Sequence, residues 1–161
     1  MEQEKFIEHY GSLYENSPHI ALEIYKQHSL DAESPLEILN LMKDYVNKME
    51  KDLKMKLILE HPELGIKKGQ SKKNLTAHWQ KEQKRAGLDD LSSSDYSLLS
   101  ELNKEYMNKF KFPFIIAVSG LTKEEVFSSI KVRLKNSAER EFNTAIDEIH
   151  KIAEIRLKNL Y

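Results

Sequence analysis

Apolar residues recur at three- and four-residue spacing over most of this chain, the period of helices that bury one face. Ile38, Leu41, Met42, Tyr45, Met49 and Leu53 form one stripe, which predicts a long helix opening at Pro35 and running to about Glu60. Leu98, Leu99, Leu102, Tyr106 and Phe110 form a second stripe, and Val126, Phe127, Ile130 and Leu134 a third. Phe142, Ala145, Ile146, Ile149, Ile152 and Ala153 form a fourth. Start signals stand in front of these runs. Ser17-Pro18 and Ser34-Pro35 each read as an N-cap followed by proline at the first helical position. Thr122-Lys123-Glu124-Glu125 is a capping box, Asn136-Ser137 opens the last helix, and Ser93 or Ser94 opens the one carrying Leu98. Asn74 or Thr76 starts a short helix that Gly87 ends.

One stretch departs from this period. In Phe112-Pro113-Phe114-Ile115-Ile116-Ala117-Val118 the proline pushes its predecessor towards an extended conformation, and the residues after it have no helical spacing. With no sheet partner, its backbone N–H groups must find helix ends, water or a ligand, which makes it a candidate cradle for a carboxylate or an oxyanion. The expected fold is therefore all-α: a single-domain bundle of about seven to nine helices over residues 1–161, with one short buried extended segment near 112–118.

Composition narrows the function classes. The 161 residues are 40% hydrophobic, enough for one globular domain with its own core. Zero cysteines exclude disulfides, thiolate metal sites and cysteine nucleophiles. A net charge of −1 argues against a dedicated nucleic-acid surface, and no apolar run is long enough to span a membrane. The acidic start is not a signal peptide, so the expected location is the cytoplasm.

Against this regular background, a few polar groups occupy positions that suit chemistry better than packing. Arg156 takes the next slot on the stripe that ends at Ala153, where a guanidinium needs a carboxylate, a ligand anion or a water-filled cleft. Glu82 and Gln83 fall within the apolar face marked by Leu75, Trp79 and Ala86, and His61 sits in His61-Pro62-Glu63-Leu64-Gly65. Together they offer a base, an acid and an anion clamp. The plainer reading is a structural Arg156–Glu82 ion pair. His78 and Glu82, four apart, lack a third metal ligand at useful spacing, so no metal is expected. Lys67, Lys68, Lys72 and Lys73 around Gly69 read as a solvated loop that could also attract an anion. His9, His19, His28 and His150 join no constellation and read as surface residues, while Tyr106, Phe110, Phe112 and Phe114 read as core.

These motifs resemble, in order, those of the 2-oxo-4-hydroxy-4-carboxy-5-ureidoimidazoline (OHCU) decarboxylase family. The resemblance runs through His61-Pro62-Glu63-Leu64-Gly65, Leu75-Thr76 with Glu82-Gln83, Ala86-Gly87-Leu88, and Leu102-Asn103 with Tyr106. It continues through Phe110-Lys111-Phe112-Pro113-Phe114, Arg133-Leu134-Lys135-Asn136 with Glu139, and Ile152-Ala153 with Arg156-Leu157. It covers about 100 residues from His61 onwards. The resemblance implies a cofactor-free homodimer that decarboxylates an anionic ureidoimidazoline to S-allantoin, the last step of urate breakdown. It also implies His61 as catalytic acid or base with Glu82 as its partner, and substrate contacts from Pro62, Gln83, Arg156 and the backbone at Phe114, Ile115 and Ile116.

Two positions depart from the family pattern. Trp79 stands where a serine is usual, three residues before the glutamate, and Lys111 replaces a glycine between the two phenylalanines. The alternative reading is a divergent, inactive helical scaffold in which Trp79 closes the pocket.

Overall fold

The computed structural model describes residues 1–28, 33–66, 70 and 73–161. Among these, eight helices and no strand account for the regular structure: α1 (Gln3–Tyr10), α2 (His19–Gln27), α3 (Pro35–Asn47), α4 (Lys51–Leu59), α5 (Ala77–Arg85), α6 (Ser93–Phe110), α7 (Lys123–Arg133) and α8 (Ala138–Asn159). The all-α expectation and the number of helices hold. α8, the longest, packs against α3, α4 and α6, and its apolar stripe, including Phe142, Ala145, Ile149 and Ala153, lies in the core. The aromatic group Tyr106, Phe110, Phe112 and Phe114 is buried, as its lack of a basic surround suggested.

Most caps fall where side-chain chemistry put them. Ser34 and Thr122 form reciprocal capping boxes with Glu37 and Glu125, and Ser137 and Thr76 accept from backbone N–H groups three residues on. Two expectations need correction. The single helix from Pro35 to Glu60 is two: Lys48 ends α3, and Glu50, extended at ψ 155°, begins α4. The corner re-phases the stripe, so Leu53 is 53% exposed while Leu57 and Ile58 are buried. At Ser17-Pro18 the hydroxyl donates to the Glu15 carbonyl instead of capping, and the helix starts one residue later, after Pro18. α6 begins at Ser93, as expected, and Ser92 caps it by accepting from the Asp95 N–H.

Lys111 closes α6 in the left-handed region, at φ 67° and ψ 23°, with its N–H on the Met107 carbonyl. The chain then enters the run 112–118, which carries neither helix nor strand and is buried except at Ala117. Two contacts pin it to helices: the Ile115 carbonyl accepts from Arg133 on α7, and the Ala117 N–H donates to Glu148 on α8.

Candidate functional site

Four segments converge on one cleft of about 490 Å³, mouth included: the turn after α4, helix α5, the run 114–119 and the C-terminal part of α8. Every site residue expected from the sequence lines it: His61, Pro62, Glu82, Gln83, Phe114, Ile115, Ile116 and Arg156. Leu64, Trp79, Ile152 and Ile155 give it apolar walls.

His61 is buried, and its Nδ1 lies 3.0 Å from the Leu57 carbonyl oxygen. A carbonyl only accepts, so Nδ1 carries the proton and Nε2 presents a lone pair. Nε2 has no partner among the described residues. Burial lowers the pKa of the ring to about 3, and the positive charges of Arg156 and Lys73 push the same way, against the Leu57 hydrogen bond. The group is thus neutral at pH 7 and enters any reaction as a base.

The loop after His61 is held from behind. Asn103 Nδ2 donates to the Leu64 carbonyl at 3.0 Å, and Gln83 Oε1 accepts the Gly65 N–H at 2.9 Å. Because that bond uses the amide oxygen of Gln83, its NH2 end remains as the donor for the cleft. Gly65 is at φ 73°, and a Cβ there would stand 2.7 Å from Leu99 Cδ2, so any other residue would strain the backbone and push the Leu99 methyl aside.

Arg156 is almost wholly buried and forks onto Glu82, with Nε 2.9 Å from Oε2 and Nη2 2.8 Å from Oε1. The same Nη2 lies 3.3 Å from Oε2 of Glu15, and Nη1 reaches the Ser12 carbonyl at 3.3 Å. Burial alone would lower the guanidinium's pKa, but the Glu82 and Glu15 carboxylates outweigh it and hold it above its ordinary value. The ion pair and the site are therefore the same object, since the Arg156–Glu82 pair is a wall of the cleft. Glu15 was not anticipated. It is 1% exposed, burial raises its pKa, and its Oε1 accepts from the Thr76 hydroxyl at 2.5 Å, tying Arg156 to the N-cap of α5. An acid in a short turn between α1 and α2 has no periodicity that would announce its burial.

Trp79 is 7% exposed and lines both the cleft and an outer groove with Ile66, Leu75, Gln80 and Leu88. It stands between the two spaces. His78 bonds the Ser12 hydroxyl, and no group of three potential metal ligands occurs among the described residues. His19 and His28 are exposed, but two of the expected surface histidines are not free. His9 meets the Tyr161 hydroxyl, and His150 is buried between Tyr14 and Asn47. Of the lysine loop, Lys67, Lys68, Gly69 and Lys72 lie outside the described residues, while Lys73 Nζ donates to the His61 carbonyl at 2.7 Å.

A family model described as OHCU decarboxylase matches residues 1–158. The 2-oxo-4-hydroxy-4-carboxy-5-ureidoimidazoline decarboxylase of Haloferax volcanii is 32% identical over 98% of this chain and 89% of its own length. The uric acid degradation bifunctional protein of Bacillus sp. (strain TB-90) is 36% identical over the whole chain, which spans 31% of that protein. Among solved structures, an OHCU decarboxylase crystallised in the presence of (S)-allantoin superposes with a TM-score of 0.71 at 25% identity, covering 99% of this chain and 98% of the other. An (S)-allantoin synthase superposes with a TM-score of 0.77 at 27% identity, covering 99% of this chain and 50% of the other.

Proposed function

Because the chain belongs to the OHCU decarboxylase family, we propose that it decarboxylates 2-oxo-4-hydroxy-4-carboxy-5-ureidoimidazoline to (S)-allantoin. The observation that carries this reading is the tautomer of His61: a neutral ring with its lone pair left to the cleft that Arg156, Glu82 and the run 114–116 also line. When the C4 carboxylate leaves as CO2, its bonding electron pair moves into the C4–C5 bond, and the former C5=N pair moves onto the ring nitrogen. One proton from water balances the charge there. His61 Nε2 takes the 4-hydroxyl proton and, as imidazolium, returns it to C5 on the face it occupies, which sets the S configuration. Such proton transfer by a placed side chain is typically worth about 10² to 10⁴ in rate.

The other residues bind and orient. Glu82, already held by Arg156, anchors the imidazoline N–H side and steadies the developing imidazolium. The remaining Gln83 donor and the Arg156 edge take substrate oxygens, Pro62 packs against the ring, and the backbone at Phe114, Ile115 and Ile116 supplies N–H donors. Trp79, on the wall, narrows the entrance without occupying the site. The family resemblance supports one further reading, a homodimer, which light scattering on purified protein checks.

The test uses freshly generated substrate followed by circular dichroism. The wild-type protein should speed the appearance of the (S)-allantoin signal well above the uncatalysed drift. A rate equal to that of buffer alone would overturn the assignment.

A further inference from the structure

We propose that Arg133, which does not line the cleft, is a positioning residue that aims the Ile116 N–H into the cleft and strengthens it as a hydrogen-bond donor. This rests on the decarboxylase reading, and it concerns a residue outside the cleft for which that reading supplies no role.

The geometry comes from one peptide plane. In a trans peptide the C=O of one residue and the N–H of the next point in opposite directions. The Ile115 carbonyl accepts from Arg133 Nη1 at 2.6 Å, on the side of α7. The Ile116 N–H therefore points away from Arg133, and Ile116 lines the cleft. No acceptor among the described residues meets this N–H. The next peptide is fixed from the other end, because the Ala117 N–H donates to Glu148 Oε1 at 3.2 Å, and Lys151 holds Glu148 at 2.7 Å. Two successive peptides are thus pinned from outside the cleft, and the donor between them is left unpaired.

The guanidinium is itself immobilised. Nε lies 2.8 Å from Oε1 of Glu141, a fully buried carboxylate that also accepts from the Tyr106 hydroxyl and from Asn136 Nδ2. Arg133 Cζ lies 4.3 Å from the centroid of the Phe114 ring. A buried carbonyl needs a donor, but a neutral amide would suffice for that. A cation at the carbonyl instead polarises the whole amide and makes its N–H a stronger donor, as in hydrogen-bond chains. Arg133 Nη2 is buried with no partner among the described residues, so the arrangement does not exist to satisfy the arginine. The Ile116 donor fits a substrate oxygen conjugated with the ring, one that gains negative charge as the electron pair of the departing carboxylate is delocalised.

The test is Arg133→Lys, which keeps a cation beside Glu141 and loses the planar fork. Removing one donor of this kind typically costs about 10² to 10³ in kcat, so misdirecting it should lower kcat by about tenfold or more while KM barely moves. A purely structural role would lower the melting temperature and leave kcat, measured well below melting, at the wild-type value; that result overturns the clamp. A second measurement needs no variant. In the wild-type protein, (S)-allantoin should shift the Ile116 amide proton downfield by NMR, and an Ile116 amide that ignores bound allantoin, detected by shifts elsewhere in the cleft, overturns the proposal. Failure of the decarboxylase reading looks different, because the wild-type protein itself then forms allantoin no faster than buffer.

Discussion

His61 and His150 are both buried, both neutral at pH 7 and both far below the ordinary imidazole pKa, yet they stand in different relations to chemistry. His150 is pulled to about 4, mainly by burial and then by the charges of Lys43 and Lys54. Its Nε2 donates to Asn47 Oδ1 at 2.9 Å, so its Nδ1 accepts the Tyr14 hydroxyl, also at 2.9 Å. Both nitrogens are used, and the ring is a strut joining α3, α8 and the turn after α1. His61 uses one nitrogen to fix its tautomer and leaves the other to a cleft. A perturbed pKa marks burial in both cases; only the unspent lone pair marks a reagent.

Three substitutions or titrations test that contrast, the largest effect first. His61→Ala should lower the decarboxylation rate by about 10² to 10⁴ with little change in thermal melting, measured by circular dichroism on one sample. Wild-type turnover in that variant would remove His61 from the mechanism. His150→Phe should do the reverse. It leaves the buried Tyr14 hydroxyl without its partner, at about 1–3 kcal/mol, while the exposed Asn47 turns to water, and the folded fraction should keep its kcat. Denaturant unfolding reads the first effect, and a large kcat loss at a temperature where the variant is fully folded would erase the distinction.

The third is pH. Both histidines have folded pKa values of about 3 and 4 against about 6.5 in the unfolded chain. The unfolded state therefore takes up protons first as pH falls below 6.5. Stability present at pH 7 is lost on acidification, by up to about 1.4 kcal/mol per pH unit for each histidine. Glu15, whose carboxyl burial holds high, opposes this at lower pH, so the slope is best read as wild type minus variant. Urea unfolding at pH 7 and pH 5 should show His61→Ala and His150→Phe each flattening the dependence by about two thirds of a proton on average over that interval. Equal slopes in wild type and both variants would mean that neither ring is held neutral.

These two rings also show what a sequence makes legible. His61 could be read because it sits in a dense motif beside Pro62 and Gly65, and Arg156 because a charge on an apolar stripe has to be explained. His150 sits beside Ile149 on the same helix, and its partner Tyr14 lies 136 residues away, so nothing local distinguishes it from a solvated flank. Glu15 was illegible for the same reason, and Arg133 stood in a motif without a role, since both act only where distant segments meet. The corner between α3 and α4 carries no glycine or proline, and an apolar stripe passes through it unbroken in sequence while changing face in space.

Lys111 shows that the chain keeps some stability in reserve. It is exposed and holds a backbone shape that costs an ordinary residue about 1–2 kcal/mol and glycine almost nothing. Lys111→Gly would relieve that strain and give back part of it through the greater freedom of glycine in the unfolded chain, a net gain of under about 1 kcal/mol. Lys111 does not line the cleft, so a more heat-tolerant protein is reachable by one change at the end of α6.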